Sequence, residues 1–446
     1  MNPYSTRRAQ LISLMQAKGG GVAIIPTAPE VMRNRDADYP YRHDSYFYYM
    51  SGFMEPESVV VIVAGEKPQS ILFCREKNLE REIWDGVRYG PEAARQKFGF
   101  DAAFPIEAMS VEIPKLLADA PSVFYTQGQQ RAYDEKLQGW LDSVRAMSRA
   151  GVVAPSAIHN VQVLMDEMRL IKDADEIALM RRAGIISAEG HCRAMRMSRS
   201  GLHEYELEAE LLHEFRRQGS QYPAYGSIVA TGANACVLHY RAGDAVLQDG
   251  DLVLIDAGCE FDSYAGDISR TFPANGIFSG PQKELYEIVL AAQNAAIAVT
   301  RPGNHFMDGH DAAVRVLAQG MLDTGLLKKD KVGSLEDVIT NGDFRQFYMH
   351  RTGHWLGMDV HDVGEYRDLN AALTEGGQRP WRGLQPGMVT TIEPGIYVRP
   401  AEGVPEKYWN IGIRIEDDAL VTDNGCELMT TGAPRTVADI EALMRK

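Results

Sequence analysis

Long hydrophobic runs are absent from this sequence. It contains no stretch of about 18 apolar residues, the length that a helix needs to cross a bilayer, so no membrane span is expected. The first residues, MNPYSTRRAQ, also lack the apolar core of a signal peptide. Cysteine is scarce and shows no CxxC spacing, which favours reduced thiols and a cytoplasmic protein. The five cysteines are Cys74, Cys192, Cys236, Cys259 and Cys426.

Basic residues are fewer than acidic residues. Lys and Arg number 46 against 61 Asp and Glu, which gives a formal net charge of -15. Nucleic-acid binding needs a basic face, and anionic membrane surfaces attract basic segments, so neither is an expected partner. The excess of carboxylates is compatible with bound divalent cations, although charge alone does not show them.

The length of 446 residues predicts two domains, because one core rarely serves so long a chain. In the first third, short apolar segments bounded by Gly, Pro or charged residues predict an α/β arrangement. The predicted strands are Val22–Pro26, Ser58–Gly65, Ser70–Cys74 and Ser122–Tyr125, and the predicted helices are Glu92–Phe98, Asp134–Met147 and Val161–Ile171. Asp173 can cap a helix that starts Ala-Asp-Glu-Ile, which predicts domains at 1–172 and 173–446.

The second predicted domain repeats one order of elements. Each half has two helices with apolar residues every three or four positions, followed by strands. The first half has helices Asp173–Met197 and His203–Gln218, then strands Ser227–Thr231, Leu252–Ala257 and Ile268–Phe272. The second half has helices Gln282–Thr300 and Asp308–Asp323, a histidine-rich segment, then strands Met388–Glu393 and Ile411–Glu416. This order predicts a pseudo-symmetric domain around a central cleft, although the halves share no convincing residue identity.

Two aspartates flank predicted strands in the first half. Asp256 ends the run LVLID, and Asp267 lies eleven residues later in GDISRTF. A carboxylate at the end of a buried strand is costly unless it is paired or bound to a metal. A hairpin through the intervening CEFDSYAG would place both aspartates side by side. Two surface aspartates at strand ends are the alternative, and these residues alone do not decide between them.

Acidic residues also end strands in the second half. Glu393 ends MVTTIE, and Pro-Gly breaks the strand after it. The isoleucines of IGIRIEDD share one face by the two-residue period of a strand, so Arg414 and Glu416 share the other face. An exposed face with an ordinary ion pair is the alternative, which this segment taken alone favours.

Histidines cluster between these two segments. His350, His354 and His361 fall within twelve residues, among glycines and an aromatic, whereas His239 stands apart in VLHYRAG. A lone histidine is more often a packed or capping residue than a ligand. Three histidines so close together favour a functional segment.

The acidic residues and one histidine make a candidate metal-ligand set. Asp256, Asp267, His354, Glu393 and Glu416 supply four carboxylates and one imidazole. Two divalent cations would nearly neutralise the four negative charges. Two-metal hydrolases generate a bridging hydroxide at neutral pH. An oxygen-rich set favours Mn²⁺ over Zn²⁺, which prefers more nitrogen and sulfur.

This ordered set resembles the ligands of the pita-bread metallopeptidases, which include methionine aminopeptidase, prolidase and aminopeptidase P. The flanking segments are most similar to the bacterial aminopeptidase P branch, and the resemblance spans roughly residues 5–430. The segments that carry it are DADYPYRHDSYFYYMSGFMEPES, EMRLIKDADEIALMRRA, LHYRAGD, HWLGMDVHDVGEY, EPGIYV and IGIRIEDD. The family fold is a ribonuclease-H-like α/β domain followed by a pita-bread catalytic domain, so an α/β (α+β) protein is expected.

The resemblance implies a role for each ligand. Asp256 binds one metal through both oxygens, and Asp267 and Glu416 bridge two metals. His354 and Glu393 complete the shell of the second metal, and Glu393 also exchanges protons with the nucleophile and the leaving nitrogen.

The resemblance further implies residues that bind substrate. His361 is expected at the substrate carbonyl, and His350 and Arg414 around the proline and the backbone that follows it. His239 matches a histidine at the mouth of the cleft. Tyr225, in PAYGS, and Tyr397, in GIYV, match tyrosines of the cleft.

Two further expectations concern the surroundings of the cleft. Relatives of this length are dimers or tetramers, and Trp84, in IWDGVRYG, matches a residue that some members present to a neighbouring subunit. An ordinary structural tryptophan is the alternative. The segment RDLNAALTEGGQRPWRGLQPGM is longer than in close bacterial relatives, and we expect a surface loop at the cleft rim.

The expected reaction is metal-dependent release of the N-terminal residue from peptides whose second residue is proline. Proline has no N–H and a fixed φ, so a pocket fitted to its ring would exclude other residues. Prolidase, which cuts Xaa-Pro dipeptides with the same chemistry, is the nearest alternative. A pita-bread protein without metals or peptidase activity is a remote one, because all five ligand positions are filled.

Overall fold

The computed structural model describes residues 2–374 and 376–445. The chain divides into two compact units, Met1–Met168 and Arg169–Lys446. The predicted boundary between Lys172 and Asp173 stays a prediction. Among the described residues, no helix is long and apolar enough to cross a membrane.

The first unit contains the strands β1 Gly21–Pro26, β2 Met32–Asn34, β3 Ala37–Asp38, β4 Val59–Ala64, β5 Gln69–Cys74, β6 Ala102–Pro105, β7 Ser122–Phe124 and β8 Ala157–His159. Six of them form a mixed sheet with the order β6-β5-β4-β1-β7-β8. Strands β2 and β3 form a separate hairpin. The four predicted strands are confirmed as β1, β4, β5 and β7, because these apolar runs are almost completely buried.

Helices precede, connect and follow these strands along the chain. They are α1 Pro3–Ala17, α2 Ser45–Ser51, α3 Leu79–Asp85, α4 Gly90–Phe98, α5 Met109–Leu117, α6 Arg131–Ala146 and α7 Gln162–Leu170. The predicted helices correspond to α4, α6 and α7. Helix α1 was not predicted, because its buried face carries Arg7 and Arg8 beside Leu11 and Met15, which hides the usual apolar stripe.

The second unit repeats two helices followed by strands. Its helices are α8 Ala174–Met197, α9 Glu204–Arg217, α10 Gly280–Val299, α11 Phe306–Asp323, α12 Lys329–Val332, α13 Leu335–Asn341 and α14 Val437–Met444. Its strands are β9 Tyr222–Pro223, β10 Ile228–Thr231, β11 Leu252–Asp256, β12 Cys259–Phe261, β13 Tyr264–Ala265, β14 Ser269–Pro273, β15 Val389–Ile392, β16 Gly395–Val398, β17 Ile411–Arg414, β18 Asp417–Val421 and β19 Cys426–Leu428. Asp173 caps α8 through a capping box with Glu176, as its sequence predicts.

The strands of the second unit form small antiparallel sheets. Three sheets have three strands each, β10-β11-β14, β13-β12-β9 and β15-β18-β19, and β16 pairs with β17. Helix α8 packs against α9, and α10 packs against α11. The isoleucines Ile411, Ile413 and Ile415 are all buried in the main core, which confirms the predicted face of that strand.

One connection differs from the prediction. The segment between Asp256 and Asp267 is not a plain link, because it folds into the β12–β13 hairpin and pairs with β9. The long segment after Tyr366 is a surface loop, as predicted. Its described residues, 366–374 and 376–383, contain no buried side chain and form a ribbon closed by isolated bridges. Its bridges join Arg367 to Trp381 and Gly383 to His305. Glu375, within this segment, lies outside the described residues.

Candidate active site

The first pair of carboxylates is brought together by antiparallel pairing of β11 and β14. The register places Asp256 opposite Ser269, so Asp267 lies two residues before the paired strand. The Tyr225 hydroxyl lies 2.5 Å from Asp256 Oδ1 and also donates to Asp267 Oδ1. One phenol therefore contacts both carboxylates that the sequence predicts to be adjacent.

The second pair comes from the strands of the other half. Glu393 follows β15, and Glu416 lies two residues beyond the end of β17. Ser269 Oγ donates to Glu416 Oε2 at 2.7 Å, and the Glu416 backbone N–H donates to the Ser269 carbonyl at 3.0 Å. These bonds connect the acidic ends of the two halves.

His354 lies between the carboxylates of the two halves. Its Nε2 is 3.5 Å from Asp267 Oδ2 and 3.6 Å from Glu393 Oε1. Its Nδ1 lies 3.0 Å from the Trp355 carbonyl, so Nε2 is the nitrogen that faces the acidic groups. Ligand atoms of Asp267, His354 and Glu416 all lie within 4.8 Å of one another, close enough to hold one metal ion.

The electrostatics of the cluster fit a cation. Burial and the neighbouring carboxylates raise the pKa of Asp267 and raise the pKa of Glu416 well above its usual range. Burial raises the pKa of Glu393 to about 7, against the opposing effects of His354 and Arg414. Negative charge is thus in excess at this point, and divalent cations would relieve the repulsion. Four carboxylates and one imidazole are a donor set suited to such ions.

A cavity of about 550 Å³ opens over these acidic groups. The residues that line it include all five predicted ligands. His239, His350, His361, Tyr225 and Arg414 also line it, and further lining residues are Gly226, Ile228, Leu238, Tyr240, Arg241, Arg351, Gly353, Val360 and Tyr366. The ring centroids of His354 and His361 are 4.2 Å apart. The structure therefore brings together every predicted site residue except Tyr397 on one surface.

Tyr397 lies behind that surface and connects two residues that line it. Its side chain is 1% exposed, and its hydroxyl lies 2.8 Å from His350 Nε2. Arg414 Nη1 donates to the same hydroxyl at 2.9 Å, and Arg414 Nη2 donates to Asp256 Oδ2 at 2.6 Å. The chain of contacts from His350 to Asp256 fixes the guanidinium beside the acidic cluster. A substrate contact of Tyr397 stays a prediction.

Sequence reasoning missed a buried cation that supports the cluster. Arg270, 0% exposed, donates to the carbonyls of Ser269 and Glu416 and forms an ion pair of 2.7 Å with Asp417. Thr430 and Gln293 also donate to Asp417, at 2.6 and 2.9 Å. The signal in the sequence was a run of three polar residues, Ser-Arg-Thr, within the predicted strand Ile268–Phe272.

A second buried cation holds the segment that carries His361. Arg169 Nη2 donates to Asp359 at 2.8 Å and to Asp362 at 2.7 Å. Lys172 Nζ donates to the other oxygen of Asp362 at 2.9 Å. Val360 and His361, which lie between these two aspartates, both line the cavity. Their positions are therefore fixed from behind by charged side chains.

Comparisons with known proteins agree with this geometry. Residues 178–423 match the model of metallopeptidase family M24, and residues 4–125 match the aminopeptidase P, N-terminal domain. The chain is 43% identical over 443 residues to Xaa-Pro aminopeptidase of Escherichia coli K12, covering 99% of this chain and 97% of that protein.

Solved structures show the same fold. The aminopeptidase PepP of Pseudomonas aeruginosa has 48% identity and a TM-score of 0.94, with 99% of this chain and 97% of that chain covered. Aminopeptidase P from E. coli with the inhibitor Pro-Leu has 41% identity and a TM-score of 0.92, with the same coverage. The chain belongs to metallopeptidase family M24, in the group that carries the aminopeptidase P amino-terminal domain.

Proposed function

We propose that this protein is a metal-dependent aminopeptidase that releases the N-terminal residue from peptides with proline in second position. The observation that carries the proposal is the buried acidic cluster around His354 at the cavity floor. The 43% sequence identity to the E. coli Xaa-Pro aminopeptidase, which extends over 443 residues, supports it.

The proposed cofactors are two divalent metal ions. Asp256, Asp267, His354, Glu393 and Glu416 would hold them, and the predominance of oxygen donors favours Mn²⁺. When bound, the ions would polarise the scissile carbonyl and activate water for attack.

Side chains of the cavity would perform the remaining steps. Glu393 would take a proton from the attacking water and deliver it to the proline nitrogen as the peptide bond breaks. Thr391 Oγ1, 3.2 Å from Glu393 Oε1, orients that carboxyl group. His361 and His239 present imidazoles to the same cavity and would hold the substrate carbonyl oxygen as negative charge develops on it. His350 and Arg414, linked through Tyr397, would contact the proline and the backbone after it.

The alternative of a dipeptidase is not favoured. The E. coli relative was solved with the inhibitor Pro-Leu, which is the fragment that cleavage of Xaa-Pro-Leu would leave. We propose that the cavity of this chain likewise accepts a residue after the proline.

The expected result is Mn²⁺-dependent release of the first residue from a tripeptide Xaa-Pro-Xaa. Excess chelator should abolish the reaction, and added Mn²⁺ should restore it, because the metals activate the water. A tripeptide with Ala in place of Pro should be cleaved much more slowly. The free first residue can be quantified by chromatography. Cleavage of the dipeptide Xaa-Pro alone would support prolidase, and no cleavage with any divalent metal would contradict the peptidase assignment.

We further propose a cytoplasmic homodimer or homotetramer. Helix α3 and the turn after it present apolar side chains to solvent, since Leu79, Ile83, Trp84 and Val87 are 73%, 81%, 83% and 82% exposed. A patch of this kind is typical of a subunit interface, and a second copy is its proposed partner. The proposed cytoplasmic location is supported by the five cysteines, which are all free thiols, as is usual in a reducing compartment.

Trp84→Asp is expected to lower the sedimentation coefficient toward that of a monomer, because it places a charge in the proposed interface. Val111→Asp is the matched control, since Val111 is also exposed but lies on α5. Equal sedimentation of both variants and the parent protein would contradict an interface on α3.

A further inference from the structure

Two arginines line the cavity but belong to neither the acidic cluster nor its supports. Arg241 and Arg351 are exposed and contribute to the cavity wall. Within residues 2–374 and 376–445, neither guanidinium has a carboxylate within 4.0 Å or a side-chain hydrogen bond. Arg414, in contrast, is paired with Asp256.

Arg351 is held at the cavity rim by aromatic rings. Its guanidinium carbon lies 5.6 Å from the ring centre of Trp381 and 6.0 Å from that of Tyr366. Arg367 lies over Trp381 at 3.3 Å, and Tyr366 stacks on the fully buried Trp355. Contacts between guanidinium groups and aromatic faces are favourable, so they restrict the arginine without using its N–H donors.

The ribbon, whose described residues are 366–374 and 376–383, supplies this restraint. Trp381 pairs with Arg367 across the ribbon, and the Arg382 N–H donates to the Tyr366 carbonyl at 2.9 Å. The pairing sets Trp381 beside Arg351. The ribbon therefore influences the cavity wall through Arg351, and it contains none of the predicted metal ligands.

Arg241 packs against a glycine. A Cβ atom on Gly226 would lie 2.5 Å from Arg241 Nη1, so the missing side chain provides the space that the guanidinium occupies. Gly226 follows Tyr225, whose hydroxyl contacts Asp256 and Asp267. The second free cation thus lies against the same wall as the acidic cluster.

We propose that Arg351 and Arg241 form a carboxylate-binding rim that selects peptides with a negative charge downstream of the proline. The cavity is acidic at its floor and basic at its rim, and a short peptide has the complementary charges, an ammonium group at one end and a carboxylate at the other. Arginine binds carboxylates through two parallel N–H donors, and a restrained guanidinium loses less entropy when it does so. The inference rests on the proposed function and adds a substrate class to it.

The carboxylate has two possible sources, the C-terminus of a tripeptide and the side chain of a downstream Asp or Glu. Four peptides separate them: Xaa-Pro-Gly as free acid and as amide, and amidated Xaa-Pro-Gly-Asp and Xaa-Pro-Gly-Asn. We expect kcat/KM to be about two- to fivefold higher for the free acid than for its amide, the range of an exposed ion pair. The Asp peptide should exceed the Asn peptide if side-chain carboxylates also bind.

Variants of the rim residues test whether the rim causes the preference for the free acid over the amide. Arg351→Gln and Arg241→Gln should each reduce the acid-to-amide ratio toward one, through KM and not kcat, because the contact is remote from the reacting bond. Trp381→Ala should reduce the ratio, and Trp381→Phe, which keeps an aromatic face, should preserve it. Arg301→Gln is the control, since it removes an exposed positive charge from outside the cavity wall. Added salt should weaken the preference.

The outcomes distinguish this inference from the proposed function. Equal cleavage of acid and amide by the parent protein would overturn the rim while leaving the aminopeptidase intact. An unchanged ratio in the Arg351→Gln, Arg241→Gln double variant would also overturn it. If no Xaa-Pro peptide is cleaved, the proposed function fails first and the inference fails with it.

Discussion

Replacement of Glu393 by Gln is expected to lower kcat/KM for a Xaa-Pro-Xaa peptide by about 10³-fold, since general acid–base catalysis typically contributes 10²–10⁴-fold. The amide keeps the shape of the carboxyl group and can keep its contact with Thr391, but it cannot carry a proton between water and the proline nitrogen. The loss should appear in kcat more than in KM, because the proton moves only as the bond breaks.

Two controls make the Glu393 result specific. Glu402→Gln makes the same chemical change at an exposed position and should leave the rate unchanged. Metal content, measured by mass spectrometry of the dialysed Glu393→Gln protein, separates loss of a proton carrier from loss of metal. A variant that binds metal normally and keeps more than about a tenth of the parent kcat would rule out Glu393 as the main proton carrier.

Replacement of Arg270 by Met is expected to lower the free energy of unfolding by about 3–5 kcal/mol, the usual cost of breaking a buried ion pair from one side. Arg270 and Asp417 are both completely buried, and the guanidinium also satisfies the backbone carbonyls of Ser269 and Glu416. Without it, the Asp417 carboxylate would keep Thr430 and Gln293 as donors and Arg435 at 3.6 Å, but it would lose its closer ion pair with Arg270. Because Glu416 is tied to the same network, metal affinity should fall as well.

Urea unfolding followed by fluorescence measures the Arg270 effect. Arg315→Met is the matched control, since Arg315 pairs with Glu336 at 2.6 Å on the surface, where the side chains are 54% and 67% exposed. That change should cost less than about 1 kcal/mol. Similar decreases in the free energy of unfolding of the two variants would show that the Arg270 network stabilises the second unit no more than a surface ion pair does.

The sequence was most informative where local pattern determines structure. LVLID was predicted as a buried strand and IGIRIE as a strand with one apolar face, and the carboxylates at their ends proved to converge, because antiparallel pairing brings strand ends together. The capping role of Asp173 is equally local. Ribonuclease-H-like and pita-bread folds, in contrast, were expected from resemblance and not from any single segment.

Other features depend on contacts between residues far apart in the chain. The hydrogen bond from Ser269 to Glu416 joins residues that are 147 positions apart, and the sequence around one residue gives no indication of its contact with the other. Tyr397 was expected on the cleft surface, yet it lies behind it, where its hydroxyl contacts both Arg414 and His350. The ion pairs of Asp359 and Asp362, on either side of His361, were not predicted, since their partner Arg169 lies about 190 positions earlier in the chain.

The closed base of the ribbon has a consequence for how such enzymes can diverge. Bridges between Arg367 and Trp381 and between Gly383 and His305 anchor the ribbon where it leaves the second unit. Residues added or removed between Arg367 and Trp381 would not shift the register of His354 before the ribbon or Glu393 after it, and lengthening a loop that is already closed costs little. Evolution, or an engineer grafting a different tip, could therefore retune peptide choice while the hydrolytic machinery stays unchanged.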